Sequence, residues 1–310
     1  MESATTPTSL KEQPLPCLDG DMNKDVDVSK RYKPDGQATR GKTACNRLRR
    51  VDTFLMRYDP GLITRQRGAY RSALFVDLGY GANPMTTLES AERLRRLNPN
   101  LAVLGVEIEA ARVAAAKPYE NHQTFFRLGG FNLPLETGAD GRPERVRLLR
   151  VFNVLRQYQE ETVAHAYEML APYVLPGGLL IEGTSDPFGR IWVANLARRA
   201  VDADVWTMEA LVFSTNFRIP FEPRDFQTIL PKNYIHRVVP GEAIYDFFQS
   251  WKHAARETRS IHAWGQRQWF SAAARHLVKR GYHINLRRKW LTRGWLIWKP
   301  QTDVASVADI

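Results

Sequence analysis

The sequence predicts an α/β protein with a doubly wound, mostly parallel sheet of seven strands, closed by a terminal hairpin and carrying an insertion after strand five. Two observations predict this class. Short apolar runs alternate with amphipathic helical stretches between residues 74 and 182, which is the pattern of strands joined by crossover helices. A loop with two glycines follows the first run, at the end of the strand where such sheets bind ligands.

The first predicted strand ends in the most informative loop of the chain. Residues 74–76 are apolar, as a buried parallel strand requires, and Asp77 follows at the carboxyl end. Gly79 and Gly81 come next. Glycine permits backbone angles closed to other residues and lets a ligand approach the main chain. The loop therefore predicts a binding site for a nucleotide-like cofactor.

The second predicted strand, residues 101–108, places Glu107 near its end, with Glu109 as a competing acid. An acid at this position suits hydrogen bonding to ribose hydroxyls. The dinucleotide fingerprint is incomplete, because Pro84 stands where its third glycine belongs. Asp77 would also repel a pyrophosphate, whereas it suits a ligand that carries an ammonium and a sulfonium. These residues disfavour a dehydrogenase.

At these residues the chain resembles the class I S-adenosylmethionine-dependent methyltransferases, whose sheet is Rossmann-like. The family's first motif is an acid followed by Gly-x-Gly-x-Gly. Asp77, Gly79 and Gly81 match it, and Asn83 replaces the third glycine. Asparagine tolerates left-handed geometry, so the turn is expected to survive. The resemblance covers residues 74–300 and implies S-adenosylmethionine as the cofactor.

Later segments extend the resemblance. Residues 152–155 read Phe-Asn-Val-Leu, similar to a segment of the chemotaxis-receptor methyltransferases, which implies that Asn153 contacts the methionine end of the cofactor. The acid that the family often places near Gly130, against the adenine amino group, is missing; backbone groups and Phe131 are left. The implied cofactor-binding residues are Asp77, Gly79, Tyr80, Gly81, Asn83, Glu107, Ile108, Gly130, Phe131 and Asn153.

Periodicity and turn signals predict the remaining elements. Helices are expected over residues 46–58 and around 163–170, and Thr86 with Glu89 has capping-box spacing for a helix that starts at Thr86. Further strands are predicted at residues 124–128, 145–152 and 178–182. Residues 279–299 resemble the family's last helix and terminal hairpin, the hairpin spanning 283–291 and 294–299.

The chain is predicted to comprise a disordered tail at residues 1–42, a methyltransferase domain at 43–300 and a frayed tail at 301–310. Within the domain, residues 191–264 are too long for an ordinary connection. They are interpreted as an insertion or lid above the strand ends, with a packing or dimer role as the alternative.

The sequence does not identify a catalytic residue. The cofactor brings an activated methyl group, so a methyltransferase needs alignment and only sometimes a base. Neither an Asn/Asp-Pro-Pro-aromatic tetrad nor a Pro-Cys nucleophile follows the fourth strand, which disfavours amino methylation of bases and cytosine C5 chemistry. Polar candidates at the mouth of the site are Glu182, Thr184, Ser185 and Asp186, and His236 and His262 lie in the predicted insertion.

Composition excludes several other classes. No apolar run approaches the about 20 residues that span a bilayer, and the amino end lacks a signal-peptide core. Cys17 and Cys45 are the only cysteines, so neither a disulfide framework nor a Cys/His metal site is expected. A cytoplasmic protein without membrane association and without a metal is predicted. Its oligomeric state stays open.

The formal charge of +11 suggests an anionic partner. Residues 41–72 hold eight basic and two acidic side chains, and residues 221–310 hold fifteen basic and seven acidic. Six tryptophans, at positions 251, 264, 269, 290, 295 and 298, lie in the second region, where aromatics among arginines suit base stacking. Trp295 and Trp298 are assigned instead to the closing hairpin and its core. RNA is the favoured acceptor. The basic residues singled out are Arg47, Arg49, Arg50, Arg65, Arg67, Arg71, Arg287, Arg288, Lys289 and Arg293.

Three alternatives to an RNA methyltransferase stay open at this point. The acceptor is a small molecule, or it is a protein carboxylate, and in both cases the basic flanks are an incidental solvated surface. The third alternative is a cofactor-binding module without turnover, which the loss of the third glycine and of the adenine acid favours.

Overall fold

The computed structural model describes residues 33–138 and 141–300. The chain divides into two units, Met1–Lys33 and Pro34–Ile310, and every element below belongs to the second. Its strands are β1 (Leu74–Leu78), β2 (Val103–Glu107), β3 (Thr124–Leu128), β4 (Val146–Phe152), β5 (Val174–Ser185), β6 (Ile191–Arg199), β7 (Trp206–Thr215) and β8 (Trp295–Trp298). They form one sheet in the order β3-β2-β1-β4-β5-β6-β7-β8.

The two halves of this sheet differ in strand direction. Strands β1 to β5 pair in parallel, and β6, β7 and β8 each pair antiparallel with the preceding strand in the sheet. The order reverses between β1 and β4, so that the loops after these two strands open a crevice at their carboxyl ends. The prediction of a mostly parallel α/β sheet is confirmed for β1 to β5.

The strand count and the terminal hairpin differ from the prediction. Among the described residues the sheet has eight strands, because residues 191–215, assigned to the insertion, form β6 and β7 beside β5. Within the predicted hairpin, residues 283–291 contribute an isolated bridge between Ile284 and Trp298 and a short helix. Strand β8 also pairs with β7. Residues 191–215 of the predicted insertion thus belong to the sheet, and the place of its remaining residues above the strand ends stays a prediction.

The α-helices are α1 (Arg49–Tyr58), α2 (Pro60–Thr64), α3 (Met85–Arg95), α4 (Ala110–Ala116), α5 (Glu161–Leu170), α6 (Lys232–Ile235), α7 (Ala243–Glu257), α8 (Gln266–Lys279) and α9 (Arg288–Leu291). Short 3₁₀ helices lie at Gly68–Arg71, Lys117–Tyr119, Leu155–Gln157, Ala171–Tyr173, Pro223–Ile229 and Arg259–Trp264.

Alternate residues of the strands enter separate apolar clusters, as the pleat requires. On β1, Phe75 packs with residues of α1 and α3, whereas Val76 packs with residues of α5. On β7, Val212 joins the α1 cluster, whereas Phe213 joins a third cluster with α7 and α8. Helices thus cover both faces of the sheet, as a doubly wound fold requires.

The start of α3 differs from the capping-box prediction. The helix begins at Met85, whose N–H is bound by the Asn83 side-chain oxygen at 2.9 Å. Thr86 is buried inside the first turn, and the Glu89 carboxylate instead accepts a hydrogen bond from the Asn46 N–H at 2.9 Å. Among the described non-glycine residues, Asn46, Asn153 and Phe217 have positive φ, so the expected left-handed geometry at Asn83 is not observed.

The tryptophans of the carboxyl-terminal region are mostly core residues. Trp251, Trp269, Trp290, Trp295 and Trp298 are buried, and Trp264 is 77% exposed. Buried rings cannot stack on bases without unfolding the core, so the base-stacking prediction applies to Trp264 alone.

Candidate cofactor and acceptor site

A cavity of about 840 Å³ lies at the carboxyl ends of β1, β4 and β5, which is within the usual volume range of ligand sites. The glycine loop after β1 forms one wall, and the ends of β4 and β5 form the opposite one. Residues 39–43 form a third wall. Of the ten implied cofactor residues, Asp77, Gly79, Tyr80, Gly81 and Asn153 line this cavity. Asn83, Glu107, Ile108, Gly130 and Phe131 are not among its lining residues.

Two positions of the glycine loop require glycine for their backbone conformation and for the close approach of neighbouring atoms. Gly79 and Gly81 have φ of 74° and 90°, values that side chains with a Cβ rarely adopt. A Cβ on Gly79 would overlap the Val154 side chain, and one on Gly81 would lie 2.7 Å from the Gly41 carbonyl oxygen. The Gly79 N–H donates to the Val106 carbonyl at 2.7 Å and ties the loop to β2.

The Glu107 carboxylate holds this loop by hydrogen bonds to the backbone. One carboxylate oxygen accepts the Gly81 N–H at 2.9 Å, and the other accepts the Ile108 N–H at 2.9 Å. Arg112 approaches the carboxylate at 3.4 Å. The Oε1 atom also accepts the Glu109 N–H at 3.4 Å, so the remaining lone pair of the carboxylate is on Oε2, and the side chain is buried outside the cavity lining. The ribose role of Glu107 stays a prediction.

Asp77 is one partner of a buried ion pair that no sequence motif predicts. Arg150 on β4 and Thr87 on α3 bind its carboxylate, and Arg150 also bonds Asp52 at 2.6 Å. Burial lowers the pKa of Arg150, but the Asp77 and Asp52 carboxylates outweigh that effect and raise it. The expectation that Asp77 presents a negative charge to the ligand needs correction, because Arg150 compensates this charge. Ordering the loop is the role that the contacts support.

Asn153 joins the ends of two strands. It has φ of 62°, and its N–H donates to the Gly183 carbonyl at 2.8 Å. Its side-chain oxygen accepts the Ser185 N–H at 3.0 Å. A non-glycine residue in this conformation is uncommon and is found at constrained sites. These bonds fix the separation of β4 and β5 at the cavity.

The described part of the predicted amino-terminal tail is ordered against the site. The Thr39 carbonyl accepts a hydrogen bond from Arg112 at 2.9 Å, and the Gly41 carbonyl accepts the Ala82 N–H at 2.9 Å. Residues 34–37 lie over Gly130 and Phe131. Residues 1–32 and 301–310 lie outside the described residues, so the tail predictions stay untested there.

The cavity has a basic lining. Arg40, Lys42, Arg47 and Arg156 contribute to it, and none of the ion pairs among the described residues involves Arg40, Lys42 or Arg156. Burial and the neighbouring Arg40 guanidinium lower the pKa of Arg156. The two lining carboxylates are already paired, Asp77 with Arg150 and Asp186 with Arg190.

The predicted polar candidates separate into two groups. Thr184, Ser185 and Asp186 line the cavity. Thr184 is 2% exposed and its hydroxyl has no hydrogen-bond partner among the described residues. Glu182, by contrast, is not a lining residue, so its predicted place at the mouth is wrong.

The two predicted histidines lie away from the cavity. His236 contacts Lys232 at 2.9 Å, and His262 packs against Trp269. Neither is a lining residue. Their geometry gives no support to a role as a catalytic base.

Glu182 belongs to a buried polar cluster behind the cavity wall. Its carboxylate accepts hydrogen bonds from Asn195 at 3.0 Å and Tyr167 at 3.3 Å, and Asn195 also bonds Asn233 on α6 at 3.1 Å. Burial raises the pKa of Glu182 to about 7. The cluster joins α5, β5, β6 and α6, and no sequence motif predicts it.

Metal-binding and membrane-spanning features are absent from the described ranges. Residues 33–138 and 141–300 contain no group of three or more His, Cys, Asp or Glu side chains placed to hold a metal ion. In the same ranges no helix has the length and apolar character needed to cross a membrane. Cys45 is free and exposed, and Cys17 lies outside the described residues.

Comparison with known proteins gives a distant likeness in structure alone. The chain matches no family model and no curated protein. Among solved structures, it is similar to a Galdieria sulphuraria protein described as a sarcosine dimethylglycine methyltransferase, at 16% identity and a TM-score of 0.32, over 44% of this chain and 46% of that one.

Two further solved structures are similar to this chain. One is a magnesium protoporphyrin IX methyltransferase from Synechocystis PCC 6803 with bound SAH, at 17% identity and a TM-score of 0.32, over 44% of this chain and 54% of that one. The other is an enzyme of a pericyclic reaction, at 18% identity and a TM-score of 0.28, over 37% of this chain and 27% of that one. The chain thus matches about half or less of each structure, and likeness at these values does not assign an activity.

Proposed function

We propose that this chain is an S-adenosylmethionine-dependent methyltransferase whose acceptor carries an anionic group. The observation that carries the proposal is the glycine loop: Gly79 and Gly81, both at positive φ, border a cavity at the carboxyl ends of β1 and β4. This edge, where the strand order reverses, is where open α/β sheets bind their ligands. The bound cofactor would supply an activated methyl group.

The chain's own residues would bind and align the reactants. Glu107 holds the loop through the Gly81 and Ile108 N–H groups, and its binding of ribose hydroxyls is part of this proposal. Asn153 holds the ends of β4 and β5 at a fixed separation. Displacement at an activated methyl gains most from such alignment. Thr184 lines the cavity, and its buried hydroxyl has no hydrogen-bond partner among the described residues, so we assign it to the acceptor in this proposal.

The charge of the cavity favours an anionic acceptor. Arg40 and Arg156 lie close enough for one to lower the pKa of the other, and neither is in an ion pair among the described residues. Two neighbouring guanidiniums repel each other, and a carboxylate or phosphate between them relieves this repulsion and forms charge-assisted hydrogen bonds. A small-molecule acid, a protein carboxylate and an RNA phosphate share this chemistry.

Calorimetric titration with S-adenosylhomocysteine and with NAD tests the cofactor. We expect binding of the former alone, and loss of binding in Gly79→Val. Binding of NAD without S-adenosylhomocysteine would refute the proposal. Arg156→Gln should raise KM for the acceptor and leave S-adenosylhomocysteine affinity unchanged, whereas Arg96→Gln, at the exposed residue that follows α3, should change neither.

Methyl-labelled S-adenosylmethionine then separates the acceptor classes. Transfer is measured to pools of small carboxylic and phosphorylated metabolites, to protein and to RNA. Cofactor binding without transfer to any pool would favour the non-catalytic binding module.

RNA needs a second test, because some predicted phosphate-binding arginines lie far from the cavity. Arg65, Arg67 and Arg71 are exposed but precede β1, at the edge opposite the cavity. Arg47 and Arg50 are engaged internally, with Ser185 and Ser214. If RNA binds here, replacing Arg65, Arg67 and Arg71 by Gln should reduce the log–log salt slope by about 0.7 for each phosphate that is no longer neutralised. An unchanged slope would show that these three arginines do not bind RNA phosphates.

A further inference from the structure

The first described residues of the chain lie across the adenosine end of the proposed cofactor site. We name residues 34–37 the strap. The Asp35 carbonyl accepts a hydrogen bond from the Phe131 N–H at 2.8 Å. The Asp35 N–H donates to the Asn132 side-chain oxygen at 2.7 Å. One peptide segment thus satisfies a donor and an acceptor on the loop after β3.

The strap is packed as well as hydrogen-bonded. Tyr158 Oη accepts the Gln37 N–H and donates to the Gln37 carbonyl at 3.1 Å. A Cβ built on Gly36 would lie 2.9 Å from Tyr158 Oη, 3.4 Å from Ile108 and 3.7 Å from the Phe131 ring. Ile108 and Phe131 are two of the residues implied as cofactor contacts, so the strap covers that part of the site.

Gly130 fits this arrangement. It is buried, and a Cβ there would overlap the Asp35 carbonyl oxygen. An acid at this position would therefore displace the strap. The absence of the adenine-binding acid at position 130 is therefore a condition for the strap to bind, because only glycine leaves room there for the Asp35 peptide.

The two groups that hold Asp35 are complementary to adenine. Adenine presents a ring-nitrogen acceptor next to an amino donor on one edge, and nucleobase sites read such edges by paired hydrogen bonds. The Phe131 N–H requires an acceptor and the Asn132 oxygen requires a donor. The Asp35 peptide, with one carbonyl and one N–H, supplies the same pair.

We infer that the Phe131 N–H and the Asn132 side-chain oxygen form the adenine-reading pair of the cofactor site, and that the strap occupies this pair until the cofactor displaces it. The inference rests on the proposed function. Asn132 then supplies the acceptor that the absent acid at position 130 would otherwise supply. Strap and adenosine compete for the same two groups, so the apparent affinity for cofactor is reduced by the fraction of molecules with the strap seated.

A variant that unseats the strap tests this competition in the full chain. Gly36→Val places a side chain against Tyr158 and acts within the strap itself, so it leaves the adenine-binding groups in place. We expect it to lower the dissociation constant of S-adenosylhomocysteine by about tenfold. Gly68→Val is the matched control, because Gly68 also has positive φ but a Cβ there meets nothing within 4 Å. It should leave the dissociation constant unchanged.

The adenine-reading role of Asn132 has its own test. S-inosylhomocysteine carries an oxygen in place of the adenine amino group and a proton on the neighbouring ring nitrogen. It would therefore set an acceptor against the Asn132 oxygen and a donor against the Phe131 N–H. The wild-type chain should prefer S-adenosylhomocysteine, and Asn132→Leu should reduce that preference to the part that the Phe131 N–H contributes, whereas an unchanged preference would exclude Asn132 from adenine recognition.

Limited trypsin digestion reports on the strap directly. S-adenosylhomocysteine should accelerate cleavage after Arg40, because displacement frees the segment, whereas ligands usually protect a protein. Protection, or an unchanged rate at saturating ligand, would overturn the competition, as would unchanged or weaker binding in Gly36→Val. If neither the wild type nor the variants bind S-adenosylhomocysteine, the proposed function itself fails.

Discussion

Arg150 on β4 donates two hydrogen bonds to Asp77, its register partner on β1, from Nε to Oδ1 at 2.9 Å and from Nη2 to Oδ2 at 2.7 Å. The same guanidinium bonds Asp52, and all three side chains are almost fully buried. The acid at the start of the glycine loop is thus held by its neighbouring strand. The loop conformation and the sheet interior depend on one charge network.

Loss of Arg150 should destabilise the whole domain. Arg150→Gln leaves the buried Asp77 carboxylate without its ion-pair partner, whereas Asp52 keeps Arg93 at 2.8 Å. Breaking a buried pair in this way costs about 3–5 kcal/mol of unfolding free energy. Arg96→Gln, which removes an exposed pair with Glu92, should cost less than about 1 kcal/mol. Urea unfolding measures both. Equal effects would show that the network carries no special stability.

Gly79 and Val154 should be energetically coupled. Gly79→Ala combines an unfavourable positive φ with overlap against the Val154 side chain. Adding Val154→Ala relieves the overlap but not the backbone strain. The double variant should therefore be more stable than the sum of the single variants, by about 0.5–3 kcal/mol. Strict additivity in denaturant unfolding would argue that the loop moves away from Val154 at little cost.

Glu182 should make stability depend on pH. Its pKa is raised from 4.5 to about 7 in the folded chain, so the folded state retains a proton that the unfolded state releases. Stability is highest below pH 4.5 with respect to this group and falls as the pH rises towards 7, by about 3 kcal/mol at 1.36 kcal/mol per pKa unit.

Glu182→Gln should remove that pH-dependent decrease. The variant should match the wild type near pH 4.5 and exceed it at pH 8 in unfolding free energy. Glu92→Gln, on an exposed side chain, is the control and should leave the profile unchanged. A wild-type profile that is flat between pH 4.5 and 8 would contradict the raised pKa.

Substitution by valine should affect stability at Thr87 but not at Thr184. The Thr184 hydroxyl has no described partner, whereas the Thr87 hydroxyl donates to Asp77 at 2.7 Å. Thr184→Val should leave stability almost unchanged, and Thr87→Val should cost about 1–3 kcal/mol because a charged acceptor loses its donor. Under the proposed function, Thr184→Val should also lower kcat/KM. Marked destabilisation by Thr184→Val would instead assign the hydroxyl to the core.

The sequence was most informative where the structure depends on neighbours along the chain. Strand β3 was predicted with its observed bounds, Thr124–Leu128, and the glycine loop was placed after β1. Both follow from local apolar runs and backbone requirements. The Thr86 capping box failed because Glu89 meets Asn46, a residue far along the chain, which a spacing rule does not consider.

The partners of the site residues could not be predicted for the same reason. Asp77 and Arg150 stand 73 positions apart, and Asp35 and Asn132 stand 97 apart. Nothing in a local pattern says which side chains meet across such distances. Apolar runs such as those of β6 and β7 also fit either a sheet or a covering segment, because periodicity reports burial and not the neighbour that causes it.

The change of strand direction at β5 also divides the sheet into strands that pair over short distances in the chain and strands that pair over long ones. Strands β5, β6 and β7 are joined by turns at residues 186–190 and 200–205, so their pairing closes only short loops at small entropic cost. Strands β1 to β4 must wait for intervening segments before they can align, and such non-local pairing is slow. The meander can therefore form early and offer the edge of β5 as a template. Pairing of β1 with β4, two strands far apart in the chain, would then complete the ligand-binding edge.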